Sequence, residues 1–379
     1  MTLRNKFRLG LIVLLLLVVG CAPPALQGTI GSTPLQDKYS TYFTIGAATT
    51  PSKLAEVQNI VDFHFDRLTC ENDMKWGVIH PDANTWNFTA ADALADYARG
   101  RGITMTGHTL IWHNQLPANN WIFANLTKGD ANDIETLKGR MKNHIDTLVE
   151  RYYDVIDNWD VVNEAISDSG GYRTDSPWYE YFGSADYIYW AFRYTKDALE
   201  AHDGGTGTST GKLYYNDYSV VNSSKLNDII NMVKWLRGEI GTLPAGESPI
   251  AIDGVGLQAH WNLTWPGKAA IENTITTLAN AGLKVKISEM DISVYGSASD
   301  GEVPLTSALE QQQAARYDEI FGVFRDPIYA PHISSVTFWG VSDDQSWLNS
   351  FPTPNRKNYP LLFNRAHFAK LAYDEIVDF

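Results

Sequence analysis

Two glutamates stand out as groups that could do chemistry: Glu164 in "WDVVNEA" and Glu289 in "KISEMDI", 125 residues apart. Each follows an apolar run that reads as a buried strand, where a carboxylate is costly unless it is neutralised or opens into a cleft. Two carboxyl groups on either side of a substrate can divide the work. One donates a proton while the other attacks carbon or activates water. Asn163 directly precedes the first, and Asp291 follows the second by two residues.

The elements that must bring them together recur along the chain. Apolar runs bounded by turn or polar residues lie near 42–49, 67–72, 103–112, 155–165, 212–219, 252–261, 283–292 and 333–342, giving eight candidate strands. Helical periodicity fills the gaps, as at 133–154, where Ile134, Leu137, Met141, Ile145 and Leu148 fall on one face. Eight such alternations without a break predict an α/β fold, a single (β/α)8 TIM barrel, with an open doubly wound sheet as the alternative. A barrel builds its site at the C-terminal ends of its strands. Those ends carry Glu71, Asn72 and Lys75; His108, Trp112 and Gln115; Asn163 and Glu164; Tyr215, Asn216 and Asp217; Gln258 and His260; Glu289 and Asp291; and Trp339, with Trp347 in the loop beyond. Helix caps explain any one of these, but not their assembly at one end of the units.

The first twenty residues place basic Arg4, Lys6 and Arg8 before "LGLIVLLLLVVG", too short to span a membrane and the right length for a signal-peptide core. "VVGC" resembles the bacterial lipobox, which implies removal of residues 1–20 and lipidation of Cys21; a plain secretory signal is the alternative. Residues 21–37, rich in Pro, Gly, Ser and Thr, read as a flexible tether, leaving 38–379 as the folded domain. The protein is then expected to be exported and held on the bacterial cell surface or outer membrane as a lipoprotein, touching membrane only through that anchor. Loss of the leader moves the net charge from −14 to −17, because three basic residues and no acidic ones leave. Such a surface excludes nucleic acid as a partner. Cys70, the only other cysteine, reads as a buried strand thiol without chemistry.

Amides and carboxylates suited to hydroxyl groups, together with flat tryptophan faces, point towards sugar. The patch "DGGTGTSTG" at 203–211 reads as a surface loop, since it lacks the lysine and strand-to-helix placement of a phosphate loop, and no nucleotide or other cofactor is expected. Glycoside hydrolysis needs two carboxyl groups flanking the scissile bond, and Glu164 and Glu289 are the natural pair across a barrel mouth.

"GHTLIWHNQLP", "WDVVNEA", "GVGLQAHW", "KISEMDI" and "FWGVSDDQSW" together resemble the blocks of glycoside hydrolase family 10, the endo-β-1,4-xylanases, in the family's order and from about Tyr42 to Tyr373. The resemblance implies a retaining mechanism on xylan, with Glu164 as acid/base and Glu289 as nucleophile. It also implies that Asn163 bonds the sugar 2-hydroxyl, and that His260, oriented by Asp291, holds Glu289 ionised. Glu71, Asn72, Lys75, His108, Trp112 and Gln115 match glycone-side positions, Gln258 falls within a matching block, and Trp339 and Trp347 match the aromatic walls. The chain is expected to act as a monomer and without metal.

Trp76, Trp159, Trp190 and Trp235 read as core, and His113 as a loop histidine outside the site. Asn216 and Asp217 fit a direct or a supporting role equally. "PANNW" at 117–121 and "DSGGYRTDSPW" after Glu164 depart from the common pattern and bear on fine specificity. The rival functions are a barrel hydrolase acting on β-1,4- or mixed-linkage glucan, a metal-dependent hydrolase using His108 and His260, and a sugar-binding protein that does not cleave.

Overall fold

The computed structural model describes residues 28–202 and 211–379; the expected signal peptide, Cys21 and residues 203–210 lie outside the described residues. Among the described residues nine strands alternate with helices, except that β7 follows β6 directly: β1 (Thr44–Thr49), β2 (Arg67–Cys70), β3 (Thr104–Trp112), β4 (Ile156–Asn163), β5 (Lys212–Asp217), β6 (Gly254–Leu257), β7 (His260–Asn262), β8 (Lys284–Ser293) and β9 (Ile333–Phe338). Each strand from β1 to β5 pairs in parallel with the next; β1 also pairs with β9, β9 with β8, and β8 with β6. The sheet therefore closes on itself as the expected eight-stranded barrel. Both faces of these strands are covered, which is why they read as nearly unbroken apolar runs.

The sixth unit departs from expectation. The run at 252–261 is not one strand: Ala259 adopts φ +59° and turns the chain, so β7 leaves the barrel wall and pairs with the outer half of β8, setting His260 beside Asp291. Register shifts also lie between His108 and Ile111 in β3 and between Ile287 and Met290 in β8. Such irregularities re-aim side chains. Here the second one skips Ser288 and Glu289.

The helices present their apolar faces to the barrel. The helix Ala131–Tyr152 begins at Asp130, whose carboxylate accepts the Asn132 and Asp133 backbone N–H groups at 2.9 and 3.1 Å, and it buries Leu137, Met141, Ile145 and Leu148 as its periodicity predicts. Trp76, Trp159 and Trp235 are buried, while Trp190 is half-buried against the core. Cys70 is fully buried in β2, and burial pushes its thiol far up.

Residues 28–37, expected to belong to a flexible tether, are instead docked on the domain. Thr29 accepts the Ala369 backbone N–H at 2.8 Å, the Thr33 backbone N–H donates to the Tyr373 hydroxyl at 3.0 Å, and Leu35 is wholly buried at the start of a short helix, Leu35–Tyr39. Ile30 and Leu35 supply enough apolar surface to dock a segment whose composition otherwise suits a linker.

Three histidines are sealed inside the described body. His80 and His144 face each other with Nδ1 atoms 3.3 Å apart between the Trp76 and Trp86 rings, and His64 is bonded to the Ile30 carbonyl at 2.7 Å. Burial lowers His64 and His80 from 6.5 to about 4, and lowers His144 well below its ordinary range too. The unfolded chain thus binds more protons between about pH 6.5 and 4, so stability falls as pH falls through that window. His64 and His80 are each expected to withdraw on the order of 2 kcal/mol by pH 4.5, and His144 acts in the same direction. Thermal unfolding at pH 7 and 4.5 checks this: His144→Phe should lose less on acidification than the parent chain, and an equal loss in both would refute it.

Candidate active site

Glu289 projects from β8 at the point where its register with β9 shifts. Its Oε1 accepts from Asn216 Nδ2 at 2.7 Å, and its Oε2 from His260 Nε2 at 3.3 Å. Asn216, at the end of β5, lies against Gly256, where a Cβ would stand 2.2 Å from the amide oxygen. Only glycine leaves room there. His260 Nδ1 donates to Asp291 Oδ2 at 2.9 Å, and Trp347 Nε1 donates to the same oxygen at 2.8 Å. Burial alone would neutralise the imidazole, but the carboxylates of Asp291 and Glu289 outweigh it and push His260 up to about 10. Burial likewise disfavours a charge on Glu289, yet His108, His260 and Lys75 overcome it and hold the carboxyl below its usual range.

Glu164 closes β4 differently. It is half-buried and sits in the left-handed region at φ +57°, an unfavourable conformation for a residue with a side chain. Its backbone N–H donates to the Asn216 carbonyl and its own carbonyl accepts from Arg173 Nε, both at 2.9 Å. Its carboxyl oxygens accept from Trp112 Nε1 and Gln258 Nε2, again at 2.9 Å each. The Asn163 amide lies 2.9 Å from that of Asn216 and 3.4 Å from Gln258 Nε2, so a short chain of amides runs from one glutamate to the other.

Both line one cleft of about 600 Å³, with Glu71, Asn72, Lys75, His108, Trp112, Gln115, Asn163, Gln258, His260, Trp339 and Trp347. Lys75 donates to Asn72 Oδ1 at 3.0 Å and lies 5.1 Å from the Trp112 ring; burial lowers it despite Glu289, Glu71 and Glu164 nearby. Glu71 is paired with Lys53. His108 stands edge-on to Trp339, with Nδ1 3.1 Å from Asp160 Oδ2. Asp291 does not line this cleft; it sits behind His260. His108 and His260 are thus committed to separate carboxylates, an arrangement unlike a shared ligand set.

Sequence reading left Asn216 open, and it bonds Glu289 directly. Asn114, Tyr218, Ser219, Trp261 and Phe351 also line the cleft and were not anticipated, while His113 does not line it. Tyr218 and Ser219 follow "YYND" immediately, a signal that could have found them; Phe351 offered none. Arg173, in the loop after the acid strand, was missed as a clamp on Glu164. That loop is further fixed by Lys225, 2.9 Å from both Asp168 and Asp217. Burial pushes Asp217 up to about 7, with Lys225 drawing it back down.

The family model described as glycosyl hydrolase family 10 matches residues 34–379. A β-1,4-xylanase of Dictyoglomus thermophilum is 37% identical over 91% of this chain and 90% of that one. An endo-1,4-β-xylanase A of Xylanibacter ruminicola is 32% identical over 98% of both. A solved endo-1,4-β-xylanase from Caldicellulosiruptor owensensis is 37% identical and superimposes with a TM-score of 0.81, covering 92% of this chain and all of that one. A solved mutant structure in complex with xylotriose, 38% identical, gives the same TM-score over 92% and 100% of the two chains. Closed barrel, paired glutamates and near-complete coverage agree, and the chain belongs to glycosyl hydrolase family 10.

Proposed function

We propose that this protein is a retaining endo-β-1,4-xylanase acting by double displacement, with Glu289 as nucleophile and Glu164 as acid/base. The observation that carries the reading is the electrostatic setting of Glu289: an imidazolium, an amide and a nearby ammonium all face its carboxyl group. Held ionised, Glu289 attacks the anomeric carbon while Glu164 passes its proton to the departing glycosidic oxygen. A covalent glycosyl-enzyme forms and the leaving chain departs. Glu164, now a carboxylate, takes a proton from water; the water attacks the same carbon, the Glu289 ester bond breaks, and configuration is retained.

Trp112 and Gln258 aim the Glu164 carboxyl group. Asn163 bonds the 2-hydroxyl of the sugar at the cleavage point, an interaction of the kind that tightens in an oxocarbenium-like transition state. Glu71, Asn72, Lys75, His108 and Gln115 bond hydroxyls on the glycone side, and Trp339 and Trp347 provide flat apolar walls. Asp291 positions His260. The enzyme works as a monomer, held at the cell surface by a lipidated Cys21 where long xylan is cut into shorter pieces. The "VVGC" segment supports that anchor.

One experiment tests activity and placement together: reducing-end release from xylan and from cellulose by the membrane and soluble fractions of cells producing the full chain. Xylan cleavage concentrated in the membrane fraction, and shifted to the soluble fraction by Cys21→Ala, is expected. Preference for cellulose would overturn the substrate, and wholly soluble activity in the parent would overturn the anchor.

A further inference from the structure

Away from the two glutamates, three side chains from distant parts of the chain converge on one point. Glu56 comes from the helix Pro51–His64, Asp344 from the turn after β9, and His367 from the C-terminal segment; one ligand atom of each lies within 4.8 Å of the others. His367 Nε2 is 3.2 Å from Asp344 Oδ2. Two donors bound at ~2.0–2.1 Å in a tetrahedral shell stand about 3.3 Å apart, so this pair already has the required spacing. Glu56 is exposed, and one of its carboxylate oxygens completes the cluster.

The surroundings favour a cation. Among the described residues no lysine or arginine pairs with Glu56 or Asp344. The other oxygen of Asp344, Oδ1, is buried without a hydrogen-bond partner, and so is Oε1 of the neighbouring Gln345, a residue nine-tenths buried. Gln345 Nε2 donates to Glu56 Oε2 at 3.2 Å and holds that carboxylate against the turn. Two carboxyl groups supply oxygen donors, and an imidazole in the set selects borderline metals over Ca²⁺ and Mg²⁺.

We infer that Glu56, Asp344 and His367 form a structural site for a divalent transition metal of the Zn²⁺ or Co²⁺ type. The ion would tie the first barrel helix, the C-terminal segment and the turn that leads to Trp347 into one unit. It takes no part in the reaction. Gln345, inside that turn, already accepts Lys53 Nζ on its carbonyl at 2.8 Å, and Lys53 is the partner of Glu71.

The test uses the chelator-stripped full chain, titrated separately with Zn²⁺, Co²⁺ and Ca²⁺ while thermal unfolding and metal stoichiometry are followed. One Zn²⁺ per chain and a rise in Tm of about 3–6 °C at a concentration ~100-fold above Kd are expected. The rise should vanish in His367→Ala and in Asp344→Asn, each compared with its own metal-free Tm so that any intrinsic destabilisation cancels. No Zn²⁺ response, an equal rise in His367→Ala, or a response to Ca²⁺ alone would each overturn the site.

Discussion

Glu289→Ala is expected to lose xylan hydrolysis by on the order of 10⁴–10⁶-fold, since a group acting as one unit with its partners leaves little behind when removed. Glu164→Ala should lose about 10²–10⁴-fold on xylan, the range for a missing general acid. The two variants then separate on an aryl β-xyloside whose phenolate departs without protonation. With that leaving group Glu164→Ala forms the glycosyl-enzyme at close to the normal rate and stalls at its hydrolysis, giving a burst of phenolate. Glu289→Ala gives no burst. Single-turnover kinetics on both substrates check the assignment, and a burst from Glu289→Ala or equal losses by Glu164→Ala on both substrates would reverse or remove it. The asymmetry follows from the hydrogen bonds: Glu289 is faced by the charged His260, and Glu164 by the neutral donors of Trp112 and Gln258.

Strand ends make most of this cleft legible in the sequence. An apolar run buried on both faces must stop where the barrel opens, so the polar residues that follow each run belong to one rim. Glu71, Asn163, Glu164 and Gln258 stand at such ends, whereas His108 and Glu289 lie inside β3 and β8 and reach the cleft where the register shifts. What stayed hidden was set by conformation. "GLQAHW" reads as a continuous strand because alanine gives no turn signal, yet the left-handed Ala259 is what swings His260 onto Asp291. Asn216 could face sugar or protein, and Gly256 decides how closely it fits over β6. Arg173 reaches the Glu164 carbonyl from a loop with no periodicity to register it. The docking of residues 28–37 depended on Ile30 and Leu35, whose backbone groups both bond the distant His64 ring.

Charges inside the barrel were the least legible feature, and they carry the second large expectation. Lys286 on β8 and Asp160 on β4 are each 1% exposed, their Nζ and Oδ1 2.8 Å apart, and Lys286 also donates to Asn158 Oδ1 at 2.9 Å. Burial opposes a charge on Asp160, but Lys286 and His108 keep its carboxyl below the usual range. Lys286→Ala removes the main compensating charge from a site water cannot reach. The cost is expected at about 3–5 kcal/mol, or roughly 6–10 °C in Tm. Adding Asp160→Asn removes the stranded charge and should recover much of that stability. It should not recover activity, because Asp160 Oδ2 is also the partner of His108, one of the charges that hold Glu289 ionised. Thermal unfolding and kcat of the single and double variants separate the two roles. A loss under about 1 kcal/mol for Lys286→Ala would refute the buried-pair account, and a double variant regaining both stability and kcat would show that the Asp160 to His108 link does not reach the nucleophile.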